Sequence, residues 1–157
     1  MTRLYLVQHG EALDKTIDPE RPLSEQGADD VEQMATFLSH GDIPIHQFIH
    51  SGKLRARQSA ERMATIIAPE CKPTAETDLS PNDPTEPWVS RIDSYVEPTM
   101  IVGHLPFMAR LADRLLTGSE EAGLVTFQPG SVVCLEQTGE ERRSLLWMIR
   151  PELLNAN

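Results

Sequence analysis

The 157-residue sequence is short of cysteine, of positive charge and of long apolar runs, and each shortage removes a class of protein. Cys71 and Cys134 are too few for a disulfide framework and neither belongs to a CxxC pair. They read as inert thiols of a cytoplasmic protein. Fourteen Lys and Arg against 24 Asp and Glu give a formal charge of −10, a surface that repels nucleic acid and anionic lipid. Neither is expected as a partner. No apolar stretch approaches the roughly 20 residues that span a bilayer. The start, Met1 to Val7, is too short for a signal peptide, because polar Gln8-His9 follows at once. Internal repeats, low-complexity tracts and linker-like segments are also missing, so residues 1–157 are read as one domain. On so acidic a chain, any bound anion must meet a local basic pocket, which makes individual arginines informative.

What the sequence does contain is an alternation of short apolar runs and helical patterns. Arg3 to Gln8 reads as a buried strand, followed by a polar loop from Gly10 to Leu23. Ser24 is placed to cap a helix carrying Val31, Met34, Ala35 and Leu38, with Gly41 as its C′ residue. A strand over Gln47 to His50 runs into a helix with Leu54, Ala60, Met63, Ala64 and Ile67 on one face. The Pro-rich and acidic stretch from Pro69 to Pro87 supports no assignment. Trp88, Ile92, Tyr95 and Val96 predict a further helix, Thr99 to Gly103 a buried strand, and Leu111, Leu115 and Leu116 the helix after it. Val132 to Gln137 and Ser144 to Ile149, around Gly139-Glu140, read as a closing hairpin. The expected class is α/β: a three-layer α/β/α sandwich with a mostly parallel sheet and an antiparallel edge.

In such folds ligands bind where loops leave the C-terminal ends of parallel strands. Three chemically loaded segments fall at such ends: Gln8-His9-Gly10-Glu11, His50-Ser51 and Gly103-His104. His9 alone could simply close a strand, but a neutral imidazole is also a competent phosphorus nucleophile near pH 7. Gly10 would let a phosphate approach the backbone. Ser51 to Ser59 opens a helix, where free N–H groups favour an anion and Arg55 can offer a bidentate guanidinium. Lys53 and Arg57 fit an ordinary solvated face. His104 repeats the pattern of strand, Gly and His, and Arg21 adds a charge from the first loop. Two strand-end histidines and two arginines together describe a phosphoryl-transfer pocket. His46 and His50 straddle a strand rather than sharing a helix face, so no metal site is expected.

The ordered segments Leu6-Val7-Gln8-His9-Gly10-Glu11-Ala12, Arg21-Pro22-Leu23-Ser24, Ser51…Leu54-Arg55-Ala56-Arg57-Gln58-Ser59 and Val102-Gly103-His104-Leu105-Pro106 resemble the histidine phosphatase superfamily. Within it, the chain is similar to the short phosphohistidine phosphatases of the SixA type, over nearly its whole length. The resemblance implies a phosphoglycerate mutase-like fold and a hydrolase with no cofactor. It makes His9 the phosphorylated nucleophile, Arg55 a phosphate clamp and His104 a second contact to the phosphoryl group. Gln8, Gly10, Arg21 and Ser51 would line the oxyanion site. The expected partner is a phosphohistidine-bearing protein, and the expected setting is signal transduction in the cytoplasm.

One residue departs from the pattern: Gln8 stands where the family typically has Arg. A neutral amide makes weaker bonds to an anion than a guanidinium, so a slower enzyme or a noncatalytic phosphoprotein binder stays open. The general acid is also open among Asp83, Glu11, Asp78 and Glu86. A missing acid favours a phosphoramidate over a phosphate ester, whose leaving group needs protonation more. Larger relatives enclose sugar phosphates beneath a helical cap, for which Pro69 to Glu97 leaves little room. A small-molecule phosphomonoesterase remains the alternative enzyme.

Overall fold

A computed structural model describes residues 2–140 and 142–155. The first strand, β1 (Arg3–Gln8), turns Leu4 and Leu6 to one side of a sheet and Tyr5 and Val7 to the other. Apolar groups on both faces suit only a strand covered on both sides. It lies inside a six-stranded sheet of order β3-β2-β4-β1-β5-β6, with β2 (Gln47–His50), β3 (Thr74–Ala75), β4 (Thr99–Gly103), β5 (Val132–Gly139) and β6 (Arg142–Ile149). The strands β3, β2, β4 and β1 are mutually parallel, whereas β5 and β6 add an antiparallel edge.

Helices cover both faces. On one, α1 (Glu25–Ser39) and α2 (Leu54–Ile67) bury Val31, Met34, Leu38, Ala60 and Met63 against Tyr5, Val7, Phe48 and Val102. On the other, α3 (Glu86–Asp93) and α4 (Phe107–Thr117) bury Trp88, Ile92, Phe107 and Leu111 against Leu4, Leu6, Ile49 and Ile101. The three-layer architecture is therefore as expected. Ser24 caps α1, its hydroxyl accepting the Gly27 N–H at 3.0 Å. No described helix is long and apolar enough to cross a membrane.

Gly41 stands at C′ of α1, after the cap residue His40, as expected; its N–H returns to the Leu38 carbonyl, and Asp42 takes a positive φ of 50°. Other local readings are corrected. On α2 the buried stripe consists of Ala56, Ser59, Ala60, Met63 and Ala64, with Leu54 and Ile67 only partly covered. Small residues let this helix pack closely. The helix around Trp88 ends at Asp93, leaving Tyr95 and Val96 beyond it, with Val96 88% exposed. The Pro-rich stretch holds the two-residue edge strand β3, whose short pairing with β2 leaves almost no periodicity to read.

The register sets the site. Gln8 lies opposite Gly103, and His50 opposite Val102, so β1, β4 and β2 end almost level on one edge of the sheet. The loops that leave these ends carry His9, His104 and Ser51 to a common place.

Candidate active site

His9 is held from its backbone outward. Its N–H donates to the Gly103 carbonyl at 3.0 Å, bolting the residue to the end of β4. Its ring Nδ1 lies 2.7 Å from the Gly10 carbonyl oxygen. A carbonyl can only accept, so Nδ1 carries the proton and Nε2 keeps its lone pair. The next residue is fixed as well: the Gly10 N–H donates to Ser59 Oγ at 3.0 Å, and that hydroxyl donates to the Arg55 carbonyl at 2.8 Å. Gly10 is required by packing on the helix behind it. A Cβ there would lie 2.8 Å from both the Gly27 carbonyl oxygen and a Val31 methyl. Gly27 answers in kind, since a Cβ on it would fall 2.0 Å from the Glu11 carbonyl oxygen. Two glycines thus let the loop of His9 sit directly on the first turns of α1.

The His104 ring stands 4.9 Å from that of His9, centroid to centroid, at an interplanar angle of 56°. Its Nε2 lies 2.6 Å from Ser51 Oγ, and its Nδ1 is buried without a partner. Burial is the largest influence on both rings and pushes His9 down to about 4 and His104 down to about 3. The Arg55 and Arg21 charges push the same way, and His9 and Lys53 act similarly on His104. Both imidazoles are accordingly neutral at pH 7.

That neutrality links the site to stability. An unfolded histidine binds a proton below about pH 6.5, whereas these two, folded, do not until the pH is far lower. The unfolded chain then takes up protons first, so stability falls as the pH drops from 6.5 toward 4. Between pH 7.5 and 5 each histidine should cost about 2 kcal/mol. Urea unfolding at the two pH values should show the loss, and His9→Asn should reduce it by about 2 kcal/mol. An equal loss in wild type and variant would mean that His9 is not held neutral.

The arginines of the pocket differ from most of those elsewhere. Arg3, Arg62, Arg91, Arg110, Arg114 and Arg143 each meet a carboxylate, namely Glu136, Glu32, Asp78, Glu120, Glu86 and Asp93. Among the described residues Arg55 and Arg21 have none, and the buried Nε of Arg55 has no partner at all. Burial and the Arg21 charge lower the Arg55 pKa below its ordinary value. On a chain of charge −10, two cations without a carboxylate beside two neutral imidazoles make an arrangement able to hold an oxyanion. Arg21 adopts a left-handed φ of 50° and donates through Nε to the Leu13 carbonyl at 3.0 Å, which turns the loop back on itself. Lys53 caps α2 without a side-chain acceptor, so the first N–H groups of that helix stay available.

The remaining candidates separate. Gln8 is 9% exposed with its Oε1 buried and unpartnered. Ser51 spends its hydroxyl on His104. The Glu11 carboxylate accepts from the Ser24 hydroxyl at 2.8 Å, tying the loop of His9 to the start of α1. The Asp83 carboxylate accepts the Ser80 N–H at 2.8 Å and closes a local turn. Asp78 pairs with Arg91 and Glu86 with Arg114. None of the four carboxylates hydrogen-bonds either site histidine. His50 accepts the Gly52 N–H on Nδ1 at 3.0 Å and shapes the turn in which Gly52 takes a φ of 90°.

Three residues of the site escaped sequence reasoning. Ser59 anchors Gly10, and Gln58 accepts the Leu23 N–H at 2.8 Å to hold the loop of Arg21. Gly27 supplies the seat for Gly10. Arg55, Gln58 and Ser59 share one helix face at i, i+3 and i+4, a spacing that could have marked the two polar neighbours as supports for the arginine. Gly27 gave no such signal, because only its approach to a distant loop explains it.

No family model matches the chain. The curated phosphohistidine phosphatase SixA of Escherichia coli K12 is 24% identical over 159 residues, covering 95% of this chain and 94% of its own. A solved protein histidine phosphatase SixA complexed with tungstate superposes with a TM-score of 0.86 at 21% identity, over 98% of this chain and 99% of that one. The chain has the histidine phosphatase fold. Other structures with this fold include a SixA-named phosphohistidine phosphatase of Agrobacterium tumefaciens (TM-score 0.78, 22% identity, 96% of this chain and 98% of that one). The α-ribazole phosphatase of Shigella flexneri is a more distant neighbour, with a TM-score of 0.73 and 16% identity over 91% of this chain and 94% of that one. The histidine phosphatase fold thus places His9 at the end of its first strand and His104 at the end of β4, the strand beside it.

Proposed function

We propose that the chain is a phosphohistidine phosphatase: a hydrolase that removes phosphate from histidine on another protein, through a phosphorylated His9. The observation that carries this reading is the pairing of a neutral His9, whose Nε2 lone pair is free, with an Arg55 whose buried Nε has no partner among the described residues. In the first step His9 Nε2 forms a bond to phosphorus while the substrate's N–P bond breaks; the substrate ring, protonated from solvent on its other nitrogen, leaves as neutral imidazole. Arg55, Arg21 and His104 face the charge on the phosphoryl oxygens. The Nδ1–H bond to the Gly10 carbonyl holds the phosphorylated ring in place. Water then displaces His9 from phosphorus, releasing phosphate and restoring the neutral ring.

Two features favour a protein-borne phosphoramidate over a small phosphate ester. None of the four candidate carboxylates is hydrogen-bonded to the site histidines, and an imidazole leaving group, with an ordinary pKa of about 6.5, needs little help from an acid. The connection from α2 to β4 also supplies no cap. Its helix α3 buries Trp88 and Ile92 in the core, which leaves the pocket open to a bulky substrate. The relatives named for phosphohistidine point the same way. The role fits signal transduction in the cytoplasm. Phosphate release from a histidine-phosphorylated carrier protein tests the reading against release from a phosphoserine peptide and a sugar phosphate. Turnover of the carrier alone supports it; carrier that binds without turnover makes the chain a phosphoprotein binder.

Gln8 offers a graded test of the same chemistry. Gln8→Arg would add a third unpaired cation to the pocket and replace neutral hydrogen bonds by charge-assisted ones. It should raise kcat/KM roughly tenfold and lower the thermal midpoint, because Arg55 and Arg21 already repel each other. An unchanged or lower rate would mean that Gln8 does not face the phosphoryl group.

A further inference from the structure

We propose that Ser51 is a positioning residue of the reaction, one that donates its hydroxyl proton to His104 Nε2 and so fixes the imidazole with its own proton on Nδ1. The proposal rests on the phosphatase reading of this pocket and adds to it a residue that acts through His104. Ser51 leaves β2 and His104 leaves β4, so their 2.6 Å contact joins two adjacent strand ends across 53 positions of sequence. A serine hydroxyl has one proton to give and two lone pairs. Ser51 Oγ already accepts the Lys53 N–H at 3.3 Å. Among the described residues His104 Nε2 is the sole acceptor its proton meets. A neutral imidazole that accepts at Nε2 must carry its proton at Nδ1.

That Nδ1 is buried and without a partner. A buried N–H donor left unsatisfied is costly, and an oxyanion beside it satisfies the bond. The opposite tautomer would present a lone pair where charge develops on the phosphoryl oxygens. Ser51 thus turns His104 into a donor aimed by its neighbour. The charged and titratable groups that face His104 are His9 from the end of β1, Arg55 and Lys53 from α2 and its cap, and Arg21 from the first loop. Lys53, Arg55 and Arg21 carry no acceptor, and although the His9 Nε2 lone pair is free, no described residue hydrogen-bonds His104 Nδ1.

The sign of a titration separates the two arrangements. A hydroxyl that donates to Nε2 stabilises the neutral ring, so removing it should let the ring protonate more readily. A hydroxyl that accepts from Nε2–H favours the charged ring, and its loss would act in reverse. The test uses the full chain with ¹⁵N-labelled histidine. In wild type the spectrum should show the Nδ1–H tautomer for His104, and Ser51→Ala should raise its pKa. With a histidine peptide phosphorylated by phosphoramidate, Ser51→Ala should lower kcat roughly 10- to 100-fold while KM changes little, and Ser51→Thr should restore most of it. An Nε2–H tautomer in wild type, a lowered His104 pKa in Ser51→Ala, or an unchanged kcat would each overturn the proposal. Absence of turnover by wild type would instead count against the phosphatase reading, and the spectra would still decide where Ser51 sends its proton.

Discussion

His9→Ala should release no phosphate from a histidine-phosphorylated carrier above the uncatalysed rate, a loss of at least roughly a thousandfold. The size of the effect follows from what the ring does. It makes the bond to phosphorus, and no neighbouring group is poised to replace it: the His104 ring already spends Nε2 on Ser51, and the nearby cations are poor nucleophiles while protonated. Quenched wild-type enzyme should carry acid-labile, base-stable phosphate, and His9→Ala should carry none. The acid limb of wild-type kcat/KM should fall well below the ordinary histidine range, near pH 4, because burial holds the free His9 ring down to about 4. Substantial turnover by His9→Ala would remove the nucleophile from the proposal and leave water as the attacking group.

Arg55→Ala should cost about 100- to 1,000-fold in kcat/KM, the usual consequence of deleting one preorganised donor to a charged transition state. Arg55→Lys should recover little of it, since a point charge cannot copy a planar, two-pronged donor. The same substitution should leave stability unchanged or improved. Arg55 has no carboxylate to lose, its Nε is buried without a bond, and the Arg21 charge opposes it. A cation kept at a structural cost is maintained for its ligand. Inorganic phosphate should therefore raise the thermal midpoint of wild type and have little effect on Arg55→Ala. A large loss of stability in Arg55→Ala would mark the arginine as part of the scaffold instead.

The sheet and its helices were legible because their signals are local. Leu4, Tyr5, Leu6 and Val7 announce a strand covered on both sides, and Val31, Met34, Ala35 and Leu38 a helix packed on one. The stretch between α2 and α3 was not legible, because a two-residue edge strand has no period to detect. The end of α3 was misjudged for a related reason: where a helix stops depends on the chain's path beyond it, and the chain leaves α3 after Asp93 with Val96 exposed.

The order of residues along the chain was enough to propose His9, His104, Arg55 and Arg21 as one pocket, because the two histidines follow strands and Arg55 opens a helix, where parallel α/β sheets expose their loops. Gln8 stood out only through the resemblance, which has Arg at that position. The order of residues said nothing of which partner each side chain would take. The folded chain decided that Glu11 serves Ser24, that Asp83 closes its own turn, and that Ser51 reaches His104. Those pairings are set by strand register and by contacts between residues tens of positions apart, and a hydrogen bond is sensitive to a fraction of an ångström. Residue type along a chain specifies which bonds are possible; only the packing of distant segments selects among them.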